Sequence, residues 1–153
     1  MKAASLNYRD VAIIYEKYPV PVKDDLTPLS DGAGVVAAVG PNSSRFKVGD
    51  KVIPTCFSDW VTGRREETRS LGNTNDGVLS EYMIVDEHAV VPMPNNYSFV
   101  EASTLACAAL TAWNALYGLK RVMPGDWVLT EGTGGVSLFA IQVSKFAISI
   151  VSC

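Results

Sequence analysis

The stretch 127-WVLTEGTGGVSLFAIQVSK-145 decides the fold of the second half of the chain. It opens with Trp127 to Thr130, which is short, apolar and β-prone and follows the turn signal Pro124-Gly125-Asp126. Three glycines come next, and apolar residues at helical spacing then run from Val136 to Val143. A strand, a glycine turn and a helix in this order point the unpaired N–H groups of a helix N-terminus at an anion. The stretch therefore predicts a phosphate-binding turn.

The glycines of this turn fit two of the three positions of the dinucleotide pattern Gly-x-Gly-x-x-Gly. Gly132 and Gly134 take the first two positions, and Ser137 stands at the third. A side chain at the glycines would hold a pyrophosphate away from the backbone, and the sharp turn favours a positive φ. Serine is the next smallest residue for close packing of the helix on the strand. We expect a nucleotide-binding turn, the alternative being a turn that serves the fold alone.

Composition excludes several classes of protein. The 153 residues fit one ordinary domain, and an apolar share of 48% is ample for a packed core. The net charge of −3 argues against a nucleic-acid surface. No apolar run reaches the roughly 18 residues of a membrane span, and the N-terminus lacks the apolar core of a signal peptide. Cys56, Cys107 and Cys153 are widely spaced and odd in number, which favours reduced thiols and a cytoplasmic location.

The chain changes character near residue 97. Residues 1–97 read as short strands and turns, and residues 98–153 read as α/β. Strands are predicted at Asp31–Gly40, Lys51–Pro54, Val78–Val85, His88–Val91, Trp127–Thr130 and Ile148–Val151. Helical segments are predicted after Asn7 as N-cap, after a Ser98–Glu101 capping box, over Leu105–Leu119 and over Val136–Ala147.

Five motifs in one order carry a resemblance to a known family. They are Asn7-Tyr8-Arg9-Asp10, Asp31-Gly32-Ala33-Gly34-Val35-Val36, Gly49-Asp50-Lys51-Val52, Leu110-Thr111-Ala112-Trp113 and Gly132-Thr133-Gly134-Gly135-Val136-Ser137. Together they resemble the medium-chain dehydrogenase/reductase superfamily, near its zinc-free quinone oxidoreductase and enoyl reductase branch. The resemblance implies a GroES-like β-barrel over residues 1–97, lacking its first strands. Over residues 98–153 it implies connecting helices and the first β-α-β unit of a Rossmann NAD(P)-binding domain. By this comparison the chain is a fragment truncated at both ends.

The same resemblance decides whether a metal is expected. Zinc-dependent members hold their catalytic zinc with Cys, His and Cys, at positions that match Asn7, Ser30 and Cys107. Only Cys107 keeps a ligand type, and a single thiolate cannot hold a tetrahedral zinc, which needs three protein ligands and water. The loop from Phe57 to Asn75 has no cysteine for a structural zinc, and His88 has no Cys or His nearby. We therefore expect no zinc.

The resemblance also assigns roles to two of the predicted site residues. It places Asn7 beside the nicotinamide, where its amide could bind a ring substituent or a substrate carbonyl, although it could equally serve as the helix N-cap. Thr111 matches the position that meets the nicotinamide carboxamide, although its hydroxyl could instead bond a carbonyl of its own helix. The predicted catalytic residues are Asn7 and Tyr8. The predicted cofactor-binding residues are Asn7, Thr111, Gly132, Thr133, Gly134, Gly135, Val136 and Ser137.

The function implied is hydride transfer without a metal, between NAD(P) and a small carbonyl, enone or quinone. An acidic residue about 20 positions after the first glycine would select NAD, and that window falls on Ser152 and Cys153, so the choice leans to NADP. No nucleic acid or membrane is expected as partner, and the full-length protein could be a homodimer. The alternative is a catalytically inactive truncated product that acts as a binding or interaction module. We expect the isolated chain to bind NADPH weakly or not at all.

Overall fold

A computed structural model describes residues 1–60, 62–63, 69–146 and 150–152. The chain forms two compact units, Met1–Ala106 and Cys107–Cys153. The first is built on a sheet and the second on helices with a short parallel strand pair. The predicted fold class, an incomplete GroES-like barrel followed by an α/β segment, is confirmed.

The first unit carries a four-stranded antiparallel sheet with the strands in chain order. Its strands are β1 (Ala3–Ser5), β2 (Asp31–Val35), β3 (Lys51–Pro54) and β4 (Val90–Pro92). Ala3 pairs with Ala33, and Val52 pairs with Gly34 on one side and Pro92 on the other. In the described part of the chain β1 and β4 are the edges of this sheet, so the barrel is open.

Strand β2 is shorter than predicted. The small residues up to Gly40 predicted a strand to that point, but β2 ends at Val35 because, in the described part of the chain, no strand lies beside the residues beyond Val36. The interior glycines mark a close approach, as expected. A Cβ on Gly32 would lie 2.7 Å from Met1 Cε, and one on Gly34 would lie 3.1 Å from Met1 Sδ. The side chain of Met1 therefore crosses β2 at its two glycines.

The prediction of a strand at Val78–Val85 is wrong. Its side chains do alternate, since Met83 and Val85 are half-buried while Tyr82 and Ile84 are exposed, but the segment joins no sheet. The period of two thus reflects alternating burial of the side chains, and not a strand of either sheet. The strand predicted at His88–Val91 begins two residues later, as β4.

Two capped helices belong to the first unit. Helix α1 spans Tyr8–Ile14 with Asn7 as its N-cap, and α2 spans Phe99–Ala102. The predicted capping box of α2 is confirmed, because Ser98 N–H donates to Glu101 Oε2 (2.8 Å) and Glu101 N–H donates to Ser98 Oγ (3.3 Å). Helix α2 packs on β2. The core beneath it is made of buried Ala33, Ile53, Met93 and Ala102.

The second unit contains the predicted β-α-β sequence. Strand β5 (Trp127–Leu129) leads into the glycine turn and helix α4 (Gly135–Phe146), and the chain returns as β6 (Ile150–Ser152). β5 and β6 pair in parallel, with Trp127 opposite Ile150. The predicted helix end at Ala147, the strand start at Ile148 and Cys153 lie outside the described residues.

The helix predicted over Leu105–Leu119 is divided. A π-helical turn at Leu105–Ala109 runs directly into α3 (Leu110–Tyr117), and α3 packs against α4. Across the described residues, no helix combines the length and the apolar character needed to cross a membrane.

Candidate functional site

Asn7 stands between two carboxylates. Its backbone N–H donates to Asp10 Oδ2 (2.7 Å), and its side-chain Nδ2 donates to Asp31 Oδ2 (2.8 Å). Both carboxylates are buried, with Asp10 5% and Asp31 1% exposed. The contact with Asp10 fixes the start of α1. The side-chain amide nitrogen is engaged separately, so one residue serves both as N-cap and as part of a polar cluster.

The backbone just before β2 is strained. Leu29 is buried and has a φ of +70°, a left-handed conformation that is rare for a residue with a large side chain. Two glycines press against it, since a Cβ on Gly72 would lie 2.6 Å from the Leu29 carbonyl carbon and one on Gly77 would lie 1.9 Å from its oxygen. Val78 N–H donates to the same oxygen (2.8 Å). This packing fixes the direction in which the chain enters β2.

Ser30 and Asp31 follow this strained residue and are each 1% exposed. The hydroxyl of Ser30 donates to Asp31 Oδ2, the same oxygen that accepts the Asn7 amide. Asn7 and Ser30 are thus both hydrogen-bond donors to one carboxylate.

Arg9 and Cys56 complete the cluster. Arg9 donates to the carbonyl of Leu71 (2.7 Å) and to Cys56 Sγ (3.9 Å). Burial raises the pKa of the Cys56 thiol, the positive charge of Arg9 lowers it, and the negative charge of Asp31 raises it again. The thiol therefore lies within range of two opposite charges. Sequence reasoning did not find Arg9, Asp31 or Cys56 as a group, although a charged residue opening an otherwise small-residue strand was a usable signal.

Cys56 should be a slow nucleophile in the folded chain. Its pKa is raised above the ordinary 9.0, so less thiolate is present at pH 8 than in the unfolded chain. Alkylation by iodoacetamide, followed by mass spectrometry, should be slower at Cys56 in the folded than in the urea-unfolded chain. Arg9→Gln should slow it further, because the charge that lowers the pKa is lost. Equal rates in the folded and unfolded chain would contradict this account.

The same shift has a consequence for stability. A folded-state pKa above the unfolded value means that the fold favours the protonated thiol. The stabilisation is fully present below the ordinary pKa of 9.0 and is lost as the pH rises through and beyond it.

Tyr8, the second predicted catalytic residue, lies apart from these contacts. Its side chain is 86% exposed on α1, and it makes no hydrogen bond with any described residue. Val11, one turn along the helix, is also exposed. The structure therefore brings Asn7 into the polar cluster and leaves Tyr8 on the surface beside it.

The glycine turn of the second unit is open. Gly132 has a φ of +71°, which confirms that this turn needs a left-handed residue. A Cβ on Gly134 would meet no atom within 4 Å, and one on Gly135 would meet only Ala108 Cβ, at 3.6 Å. Nothing in the described chain thus requires Gly134 to lack a side chain, which leaves the approach of a ligand as a reason for it.

The remaining predicted cofactor residues surround this turn or lie on α3. Thr133 and Val136 are exposed, and Ser137 donates its hydroxyl to the carbonyl of Glu131 (3.0 Å), closing the turn. Serine at the third motif position therefore has a local role. Thr111 is exposed in the first turn of α3, the helix that packs on α4.

The polar cluster includes two side chains that zinc does not ordinarily take as ligands. Thiolate, imidazole and carboxylate are the ligands that zinc takes in proteins. The Asn7 amide and the Ser30 hydroxyl belong to none of these three types. The carboxylate oxygen Asp31 Oδ2 already accepts two hydrogen bonds. Across the described ranges, no three His, Cys, Asp or Glu side chains are grouped for a metal. His88 lies on the surface with its Nδ1 3.3 Å from Asp86 Oδ1.

Comparison with known proteins adds a family to this geometry. The family model for the alcohol dehydrogenase GroES-like domain matches residues 1–95. A zinc-type alcohol dehydrogenase-like protein of Schizosaccharomyces pombe is 47% identical over 152 residues, covering 96% of this chain and 44% of the relative.

Solved structures extend the likeness to both units. An NAD-dependent alcohol dehydrogenase superposes with a TM-score of 0.84 at 34% identity, covering 98% of this chain and 47% of that one. A quinone oxidoreductase of Pseudomonas syringae pv. tomato superposes with a TM-score of 0.75 at 30% identity, covering 98% and 41%. The chain thus spans less than half of the length of each of these three proteins.

Proposed function

The chain belongs to the alcohol dehydrogenase GroES-like domain family, and on that premise we propose that it is part of a zinc-independent, nicotinamide-dependent oxidoreductase. The reaction is hydride transfer between NAD(P) and a small carbonyl, enone or quinone. Residues 1–97 form the catalytic part and residues 98–153 begin the cofactor-binding part. Similarity to alcohol dehydrogenases and to a quinone oxidoreductase supports this reaction class.

One observation supports the part of this proposal that excludes zinc. The residues at the first two ligand positions, Asn7 and Ser30, both donate hydrogen bonds to Asp31. A zinc ion would need lone pairs aimed at it from these positions, and the two donors are instead committed to a carboxylate. The third position, Cys107, offers a single thiolate, too few for a tetrahedral zinc. The zinc-type name of the fission yeast relative describes that relative.

Without a metal, the polar cluster must supply the electrostatic help. Nicotinamide supplies the hydride when it is bound, and the protein provides position and polarisation. Asn7 is half-buried, with its backbone N–H bound to Asp10 and its side-chain amide bound to Asp31, so the amide can donate its other hydrogen to a carbonyl oxygen as negative charge develops there. The anion that hydride transfer leaves on the substrate oxygen takes its proton from water, so no acid–base pair is required from the chain.

The coenzyme is assigned to the open turn at Gly132–Ser137. Its glycines leave the backbone accessible, and the N-terminus of the twelve-residue helix α4 favours an anion. β6 ends at Ser152, in the window where an acidic residue would select NAD, so NADP remains our preference. The NAD-dependent relative shows that the other coenzyme is used by a similar protein.

A chelator assay tests the reaction and the missing metal together. The protein that contains this chain should oxidise NADPH in the presence of an enone or quinone, at the same rate before and after dialysis against EDTA. We expect the rate to be unchanged because no zinc takes part. A rate that is lost on dialysis and restored by zinc would contradict zinc independence. Coenzyme binding without turnover of any carbonyl, enone or quinone would favour the alternative, a binding module without catalysis.

A further inference from the structure

We propose that Asp31 is a positioning residue for Asn7: it accepts one hydrogen of the Asn7 amide and thereby directs the other hydrogen at the carbonyl oxygen of the substrate. This inference rests on the proposed function and adds to it the residue that makes Asn7 a directed donor. It also assigns Ser30 as the residue that holds Asp31 in place.

The hydrogen-bond chemistry of the amide supports this assignment. Nδ2 carries two hydrogens, and one of them points at Asp31 Oδ2 across 2.8 Å. A carboxylate only accepts, so the nitrogen of the amide, and not its oxygen, must face Asp31. The second hydrogen has no acceptor among the described residues, and Asn7 is half-buried, so that hydrogen is accessible. A carbonyl substrate needs a donor of this kind.

The surroundings of Asp31 keep the amide in one orientation. Asp31 is 1% exposed and shares its Oδ2 with the Ser30 hydroxyl. The backbone before Ser30 is fixed by the left-handed Leu29, whose backbone Gly72 and Gly77 approach closely. A donor held this firmly loses little freedom when the substrate binds, which is the condition for efficient electrostatic catalysis.

The burial of the carboxylate needs an explanation beyond folding. A buried charge is costly unless it is paired and hydrogen-bonded, and an apolar side chain often stabilises such a position as well or better. Two donors, both at Oδ2, offset part of this cost for Asp31, and the positive charge of Arg9 acts in the same region, on the thiol of Cys56. Orientation of Asn7 is a role that an apolar residue could not fill.

A double-mutant cycle separates positioning from a merely structural role. Asp31→Ala should lower kcat/KM for the enone about 10- to 100-fold, because a charge-assisted hydrogen bond to the donor is lost. Asn7→Ala should lower it to a similar extent, and adding Asp31→Ala to Asn7→Ala should cause little further loss. Asp86→Ala, which removes an exposed carboxylate, is the matched control and should leave kcat/KM unchanged. Equal losses from Asp31→Ala with and without Asn7 would overturn the proposal.

A second readout does not depend on turnover. In the ¹⁵N-labelled chain, the side-chain NH₂ signals of Asn7 are identified by their disappearance in Asn7→Ala. Asp31→Ala should move these signals, while Asp86→Ala should not. If Asp31→Ala fails to fold, Asp31→Asn keeps the shape and one acceptor oxygen and should give a smaller movement in the same signals. Asn7 side-chain signals that stay at the parent positions in both Asp31 variants would overturn the proposal.

The two readouts fail independently. If Asp31→Ala moves the Asn7 signals but the protein transfers no hydride, the proposed reaction is contradicted and the Asn7–Asp31 contact is supported. If the protein turns over substrate but the losses in kcat/KM from Asn7→Ala and Asp31→Ala are additive, the proposed reaction is supported and the positioning role of Asp31 is contradicted.

Discussion

Gly77→Ala is expected to lower the free energy of unfolding of the first unit by at least about 3 kcal/mol. The new Cβ would lie 1.9 Å from the oxygen of Leu29 and 2.4 Å from the oxygen of Pro28. Both oxygens belong to the backbone and both are hydrogen-bonded, to Val78 N–H (2.8 Å) and Leu79 N–H (3.2 Å). Neither oxygen can move aside without breaking its hydrogen bond, so residues 27–29 and 77–79 must separate.

Thermal melting measures this effect, and Gly40→Ala is its control. A Cβ on Gly40 would meet no atom within 4 Å, so that substitution should change the free energy of unfolding by no more than about 0.5 kcal/mol. For Gly77→Ala the expected loss corresponds to a fall in Tm of roughly 10 °C. Similar melting temperatures for the two variants would mean that residues 27–29 and 77–79 are not in contact as described.

The position of the clash connects stability to the site. Leu29 directly precedes Ser30 and Asp31, whose burial depends on the direction in which the chain leaves Leu29. Gly77→Ala should therefore also disturb the contact between Asn7 and Asp31. The Asn7 side-chain amide signals report that change separately from the melting temperature.

Gly134→Asp is expected to weaken NADPH binding at least about 100-fold while leaving the fold intact. The side chain would enter open space, because no atom lies within 4 Å of the Cβ position. It would bring a negative charge and several atoms to the place assigned to the diphosphate. Like charges brought together cost several kcal/mol, and each 1.4 kcal/mol is about tenfold in affinity.

The control for this second substitution is Gly40→Asp, which adds the same side chain at another open glycine. Calorimetric titration of the protein that contains this chain with NADPH should give the parent affinity for Gly40→Asp and almost no heat for Gly134→Asp. Both variants should melt at the parent temperature. Parent-like affinity in Gly134→Asp would place the coenzyme elsewhere.

Local chemistry explains what the sequence could predict of the fold. The N-cap at Asn7, the capping box of Ser98 and Glu101, and the left-handed Gly132 each depend on residues within a few positions. These features appear where the sequence predicted them. The segment Val78–Val85 has the alternation of a strand but joins no sheet of the described chain, because pairing depends on what the rest of the chain brings alongside.

Contacts between distant residues explain what could not be predicted of the site. Asn7 meets Asp31 across 24 positions, Arg9 meets Cys56 across 47, and Arg9 meets the Leu71 carbonyl across 62. No spacing rule links such residues. The resemblance singled out Asn7 for a role at the nicotinamide, but only the folded chain supplies the carboxylate that holds its amide.

An NMR titration tests the central claim most directly, namely that the glycine turn receives a nicotinamide coenzyme without a metal. NADPH is added at millimolar concentration to the ¹⁵N-labelled chain in the presence of EDTA. We expect the backbone N–H signals of Gly132–Ser137 to move progressively, as in weak binding by the isolated chain, and to stay fixed in Gly134→Asp. Signals of this turn that stay fixed on addition of NADPH, both in the isolated chain and in the protein that contains it, would contradict the account.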